Sequence, residues 1–136
     1  MSYAMAAALQ TAVFQRLETD LSLTALVGTA IYDAAPPGTI PGTYLVLGPE
    51  EVRDRSDASQ AGAAHDFIVT VVSDGAGFQN AKNVATVVSD ALVDADLVLS
   101  RGRLISLRFV RAKADRMSRG TQRKIDLRFR ALVEDT

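Results

Sequence analysis

Cysteine is absent from the 136-residue chain, which removes disulfides and thiolate chemistry together. Such a chain fits a reducing compartment. Long apolar runs are missing too, since none approaches the roughly twenty residues that a membrane span requires. The N-terminus, Met1-Ser2-Tyr3-Ala4-Met5, lacks the basic segment that opens a secretion signal. There is no internal repeat and no low-complexity tract. A hydrophobic fraction of 48% excludes global disorder. The expectation is a soluble intracellular product in one domain, residues 1–136, long enough to bury a core without staples.

Catalytic equipment is equally sparse. His65 is the only histidine, and on a strand its neighbour Asp66 would point to the opposite face, so the two make no dyad. His65 reads as a strand-edge histidine without a role as base or ligand. Asp74-Gly75-Ala76-Gly77 lies between a strand and a helix, where a phosphate-cradling loop would sit. Asn80 takes the next fingerprint position, however, and no Walker-type Gly-Lys-Ser/Thr occurs. The turn reads as a tight connection. Asp90, Asp94 and Asp96 gather near a helix end without the spaced ligands and glycine of a calcium loop. No serine or threonine sits in a nucleophile elbow. The chain is expected to have no catalytic residue, no metal and no cofactor.

What it does have is a segregated charge. Twelve carboxylates and four Lys or Arg precede Leu99, whereas four carboxylates and eleven Lys or Arg follow from there on. Side-chain charge is therefore −8 over residues 1–98 and +7 over residues 99–136. The basic part alternates apolar and charged residues, as in Ile105-Ser106-Leu107-Arg108-Phe109 and Ile125-Asp126-Leu127-Arg128-Phe129. That pattern predicts an amphipathic hairpin with a basic outer face, and it suits nucleic acid or another copy of the chain as partner. Arginine predominates, which favours planar pairing with carboxylate or phosphate. Phe109 and Phe129 fall in the apolar rows and read as core, not as base-stacking platforms. The candidate interface residues are Glu50, Glu51 and Asp54 on the acidic side, with Arg108, Arg116, Arg119, Arg128 and Arg130 on the basic side. Asp57 belongs to the same acidic group.

The remaining pattern sets the fold. Met5, Leu9, Val13 and Leu17, joined by Ala8 and Ala12, give residues 2–19 one apolar helical face, with Ser2 as N-cap. A short second helix follows Asp20 and ends at Gly28. Ile31-Tyr32 is a brief extended piece, and residues 34–42 form a proline-containing loop. Residues 44–48 make a strand that 50–55 continues, residues 56–62 a turn, and 66–73 a strand buried on both faces. A helix with the stripe Phe78, Ala81, Val84, Ala85, Val88 and Leu92 comes next. Residues 97–115 and 121–134 close the chain as a long hairpin, part of which should project from the body. The order α-α-β-β-α-β-β predicts an α+β domain, an antiparallel or mixed sheet with helices packed on one face.

Ile31-Tyr32-Asp33-Ala34-Ala35-Pro36, followed by Pro41-Gly42-Thr43-Tyr44-Leu45-Val46-Leu47-Gly48, resembles a segment of the tail terminator, or tail completion, family. That family serves long non-contractile phage tails and gene transfer agents, and the order of elements agrees over nearly the whole chain. The resemblance implies a structural protein that forms a homo-hexameric ring on the head-proximal end of the tail tube. There it stops polymerisation of the major tail tube protein and docks the head–tail connector or stopper protein. DNA would pass through the lumen without sequence-specific binding, and no membrane is involved. It further implies assembly in the bacterial cytoplasm and residence at the head–tail junction of a phage or gene transfer agent particle. The alternatives are a head–tail connector or stopper, and a nucleic-acid-binding protein using the basic C-terminal hairpin.

Overall fold

The computed structural model describes residues 3–34, 42–56, 62–74, 77–117 and 122–135. Its elements run α1 (Ala6–Glu18), α2 (Leu21–Val27), β1 (Ile31–Tyr32), β2 (Thr43–Asp54), β3 (Gly62–Ser73), α3 (Gln79–Leu92), β4 (Arg103–Arg116) and β5 (Arg123–Glu134). The strands form one sheet in the order β1-β2-β3-β5-β4. Only the β1–β2 pairing is parallel, so the sheet is mixed and the brief extended piece becomes its edge. The fold is α+β with the helices on one side, as the pattern predicts.

The core lies between the helices and the side chains that β2, β3 and β5 send to that side. Leu9, Val13 and Leu17 of α1 join Val84, Val88 and Leu92 of α3 above Leu45, Val69, Val71, Leu127 and Phe129. β5 alternates without fault, with Ile125, Leu127, Phe129, Ala131 and Val133 buried toward the helices. Strand β3 is buried on both faces along nearly its whole length, as expected for the centre of a sheet. Asp20 caps α2, its carboxylate accepting from the Leu23 N–H at 2.9 Å, and Gly28 ends that helix at φ +62°.

Three β-bulges decide which residues face which way. In β2 the register slips between Leu47 and Glu50, so Gly48 and Pro49 hold the extra residue. Proline lacks the N–H a ladder needs, and a Cβ on Gly48 would press on the Ile68 carbonyl at 3.2 Å. Past this bulge the parity of β2 inverts: Leu45 and Leu47 precede it on the helix side, and Glu50 and Val52 follow there. β4 slips between Leu104 and Ser106 and again between Phe109 and Arg111, which leaves Ile105 and Val110 as exposed bulge residues.

Several boundaries differ from the sequence pattern. Helix α1 starts at Ala6 with Met5 in the cap position and no side-chain cap. The predicted cap Ser2 lies outside the described residues, as do most of the proline loop and the predicted turn after Ser56. β4 begins at Arg103, not near residue 97, because Gly102 turns the chain at φ +70° against Met5 and the Glu134 carbonyl. His65 requires a correction as well. It is fully buried in the interior of the central strand, level with Val52 and Ala131, because β3 starts earlier than its apolar run.

Candidate functional site

The acidic candidates lie along β2 toward one edge of the sheet and Arg108 and Arg116 along β4 at the other, with Arg128 and Arg130 on β5 between β3 and β4. Beyond Val46, no strand pairs with the outer side of β2 among the described residues, so Leu47–Arg53 is an open edge. Glu50 and Glu51 lie on it, and Asp54 follows at the end of the strand. Glu50 points to the helix side, where its carboxylate accepts from the Tyr3 hydroxyl and stands 3.8 Å from His65 Nδ1. That carboxylate raises the Tyr3 pKa. Glu51 is exposed on the helix-free side, level with Asp66. Asp54 accepts from the Ser56 hydroxyl at 2.7 Å and its N–H at 3.3 Å, and the hydroxyl bond holds its carboxyl below the usual range.

β4 forms the other edge. The Asp94 N–H donates to the Leu107 carbonyl at 3.0 Å, so the turn after α3 covers this strand at Leu107. Arg108–Arg116 remains open along its outer side among the described residues. Arg108 and Arg116 lie on this stretch with Arg111 and Lys113. Arg119 lies outside the described residues. Because β2–β3, β3–β5 and β5–β4 are all antiparallel, β4 runs antiparallel to β2.

Arg128 and Arg130 point from β5 to the helix-free face, as alternation predicts, and there they meet an unanticipated partner. Asp66 is only 5% exposed. It accepts from Arg130 Nε at 2.7 Å and from the terminal nitrogen at 2.9 Å, in a bidentate pair. Arg53 stands 3.8 Å and Arg128 3.9 Å from the same carboxylate. The Arg130 hydrogen bonds lower the Asp66 pKa against the opposing effect of burial. Among the described residues Glu50 and Glu51 therefore make no ion pair with the hairpin arginines, and Asp66 serves instead. Its signal was an acid inside an otherwise apolar strand.

His65 takes the other side of β3 from Asp66, so the two form no dyad, as strand geometry requires. Burial lowers the imidazole pKa, with Glu50 opposing, and neither ring nitrogen has a hydrogen-bond partner among the described residues. Asp74 ties its turn across the sheet end by accepting from the Gly42 N–H at 2.8 Å. Among the described residues no group of three or more acids or histidines is placed to hold a metal. No helix there is long and apolar enough to cross a membrane.

The hairpin's helix-side row extends beyond its cover. Phe129 is buried between Phe67, stacked at 5.7 Å, and Phe109, edge-on at 6.1 Å. Phe109 itself is 46% exposed, so only one of the two phenylalanines read as core is fully so. α3 stops short of β4 and leaves a groove of about 380 Å³ floored by Phe109, Ala112 and Ala114. Among the described residues the arrangement offers binding surfaces and sets no nucleophile beside a base.

Comparison with known proteins agrees with this picture. No curated protein matches the chain. A solved structure described as the virion of a native gene transfer agent particle contains a chain 62% identical to this one. The match covers 98% of this chain and 99% of that one, with a TM-score of 0.91. The family model for tail completion protein gp17 matches residues 11–134, and the chain belongs to that family.

Proposed function

We propose that the protein is a tail terminator: a single-domain subunit of a six-membered ring that caps the head-proximal end of a tail tube. The ring stops addition of tube protein and offers the head connector a docking surface, with DNA passing through its lumen. It works by shape and charge, without turnover, metal or cofactor. Subunits assemble in the bacterial cytoplasm and end at the head–tail junction of the particle. Family membership supports the setting, and the six-fold count follows from the family resemblance alone.

The observation that carries the reading is the pair of free sheet edges. One is acidic, one is basic, and they lie on opposite sides of the same sheet. Contact between two different patches is heterologous, and a heterologous contact generates a ring when its rotation closes. Since β4 and β2 run antiparallel, a neighbour's β2 added beside β4 would extend the sheet as an antiparallel ladder. The open stretches are also offset, because Arg108–Arg116 lies level with Thr43–Glu51 while the open part of β2 is Leu47–Arg53. An offset of this kind supplies the stagger that closing a sheet into a cylinder demands. Phe109 and Val110, exposed beside the basic edge, give the contact an apolar centre.

The test is electron microscopy of particles from a strain lacking the protein, together with an assay of packaged DNA. Tails of uncontrolled length that fail to join DNA-filled heads are expected. Empty heads with normal tails would overturn the terminator role. Free tails of normal length with filled heads would reassign the protein as a connector.

A further inference from the structure

The helix-free face of the sheet carries a concentration of like charge that the fold does not explain. Arg108 lies directly opposite Arg130 across the β4–β5 ladder, and Arg111 lies opposite Arg128. Like charges placed directly opposite each other on one face destabilise a sheet. Arg53 of β2 extends the group toward Asp66. Five arginines thus gather on the face that holds Asp66, with Glu51 exposed at its β2 margin. Asp66 serves three of them, while Arg108 and Arg111 have no partner among the described residues. Every carboxylate of the C-terminal segment is already engaged elsewhere: Asp115 with Lys113, Asp126 with Lys124, Glu134 with Arg103 and Asp135 with Arg101. The surplus of positive charge is therefore built into the surface.

We infer that these arginine rows bind the phosphate backbone of double-stranded DNA, which makes the helix-free face the one turned toward the DNA. The assignment deepens the ring reading and rests on it for its biological setting. Three features favour phosphate. The cations are all arginines, whose planar fork matches phosphate oxygens in pairs. The two rows stand two residues apart along extended strands, about 7 Å, so they present a repeating line of charge to a repeating line of phosphates. A groove of about 360 Å³ beside Arg108 and Arg130 leaves room for the backbone to seat. Neither row contains an aromatic residue, and without stacking platforms the surface suits a duplex better than unpaired bases. Contacts to phosphate carry no sequence information, so binding is independent of sequence. In a closed ring the same patch repeats around the duplex, and the copies reinforce one another.

The test uses the full-length protein and a 30-base-pair duplex of mixed sequence, followed by fluorescence anisotropy. A surplus of about three charges predicts that affinity weakens about 40-fold between about 50 and 200 mM salt. A variant carrying Arg108→Gln and Arg111→Gln changes the two arginines without partners among the described residues and relieves their cross-strand repulsion, so its thermal midpoint should equal or exceed that of the wild type. Its DNA affinity should fall at least about tenfold at low salt, measured at a protein concentration where wild type and variant are both monomeric. A wild-type protein that does not bind DNA, or a variant that binds equally well, overturns the inference. Loss of self-association with DNA binding intact also overturns it, assigning these arginines to the acidic edge of a second copy. DNA binding that depends on the arginines, in a protein that forms no ring in particles, would uphold the phosphate assignment and reject the ring.

Discussion

Asp66 holds the arginine-rich face in place, and its environment makes that role measurable. Its folded-state pKa lies below the ordinary carboxylate value because Arg130 hydrogen-bonds the charged form. The stability it contributes is therefore fully present above about pH 4 and is lost as pH falls through the lowered folded value. Asp66→Asn should cost roughly 2 kcal/mol near pH 7, the size of a charge-assisted hydrogen bond partly open to solvent. Urea midpoints measured from pH 7 down to 2 should show the gap between wild type and variant closing in acid; a gap unchanged at pH 2 would contradict the assignment. His65 adds an earlier step of the same sign. Burial lowers its pKa, so the unfolded chain gains a proton first, and stability falls as pH drops below about 6.5. The same geometry changes what a charge reversal at the hairpin would do. Arg128 and Arg130 lie on the outer face that alternation assigns them, yet Arg130→Glu would set a carboxylate against a buried one. Such a variant tests folding as much as assembly.

Strands and helices with uninterrupted periodicity were readable from the chain, and those with bulges were not. β5 alternates from Ile125 to Val133 without a break, so every side chain takes the predicted side. The α3 stripe is buried at Ala81, Val84, Ala85, Val88 and Leu92 for the same reason. β4 looks just as regular in sequence, but bulges at Ile105 and Val110 shift its parity twice. That is why Arg111 joins the face of Arg108 although it stands an odd number of positions, three, further along the strand. Nothing local announces a bulge inside a run of good strand formers, because the partner strand sets the register. The pairing of β3 with β5 instead of with β4 is likewise a long-range result, and it places the acidic and basic stretches on opposite edges. An edge is where a small charge change acts on a partner and leaves the core alone. Glu51→Lys on the exposed part of β2 should shift monomer stability by no more than about 0.5 kcal/mol. It should nonetheless weaken ring formation, read as loss of the oligomer in native mass spectrometry at matched concentration. An unchanged oligomer would exclude this stretch of β2 from the interface.

Taken as one body, the subunit is a dipole of surfaces: acidic strand edge on one side, basic edge and arginine face on the other. Its net charge of −1 gives little overall repulsion between copies, so encounter is governed by where the charges sit. Opposed edges attract and like edges repel, which favours head-to-tail contact over a symmetric dimer. The attraction is mostly between exposed groups, and the screening length shrinks from about 10 Å at 0.1 M salt to about 3 Å at 1 M. Association of purified subunits should therefore slow by at least about tenfold between about 0.05 and 0.5 M salt, with the dissociation rate changing far less. Light scattering after concentration jumps would supply both rates. The contrary outcome is informative, because the interface has a second contributor in the half-exposed Phe109 and the apolar groove beside it. Salt that strengthened association would mean apolar burial outweighs charge at this contact. The basic edge would then orient the neighbour without driving its addition.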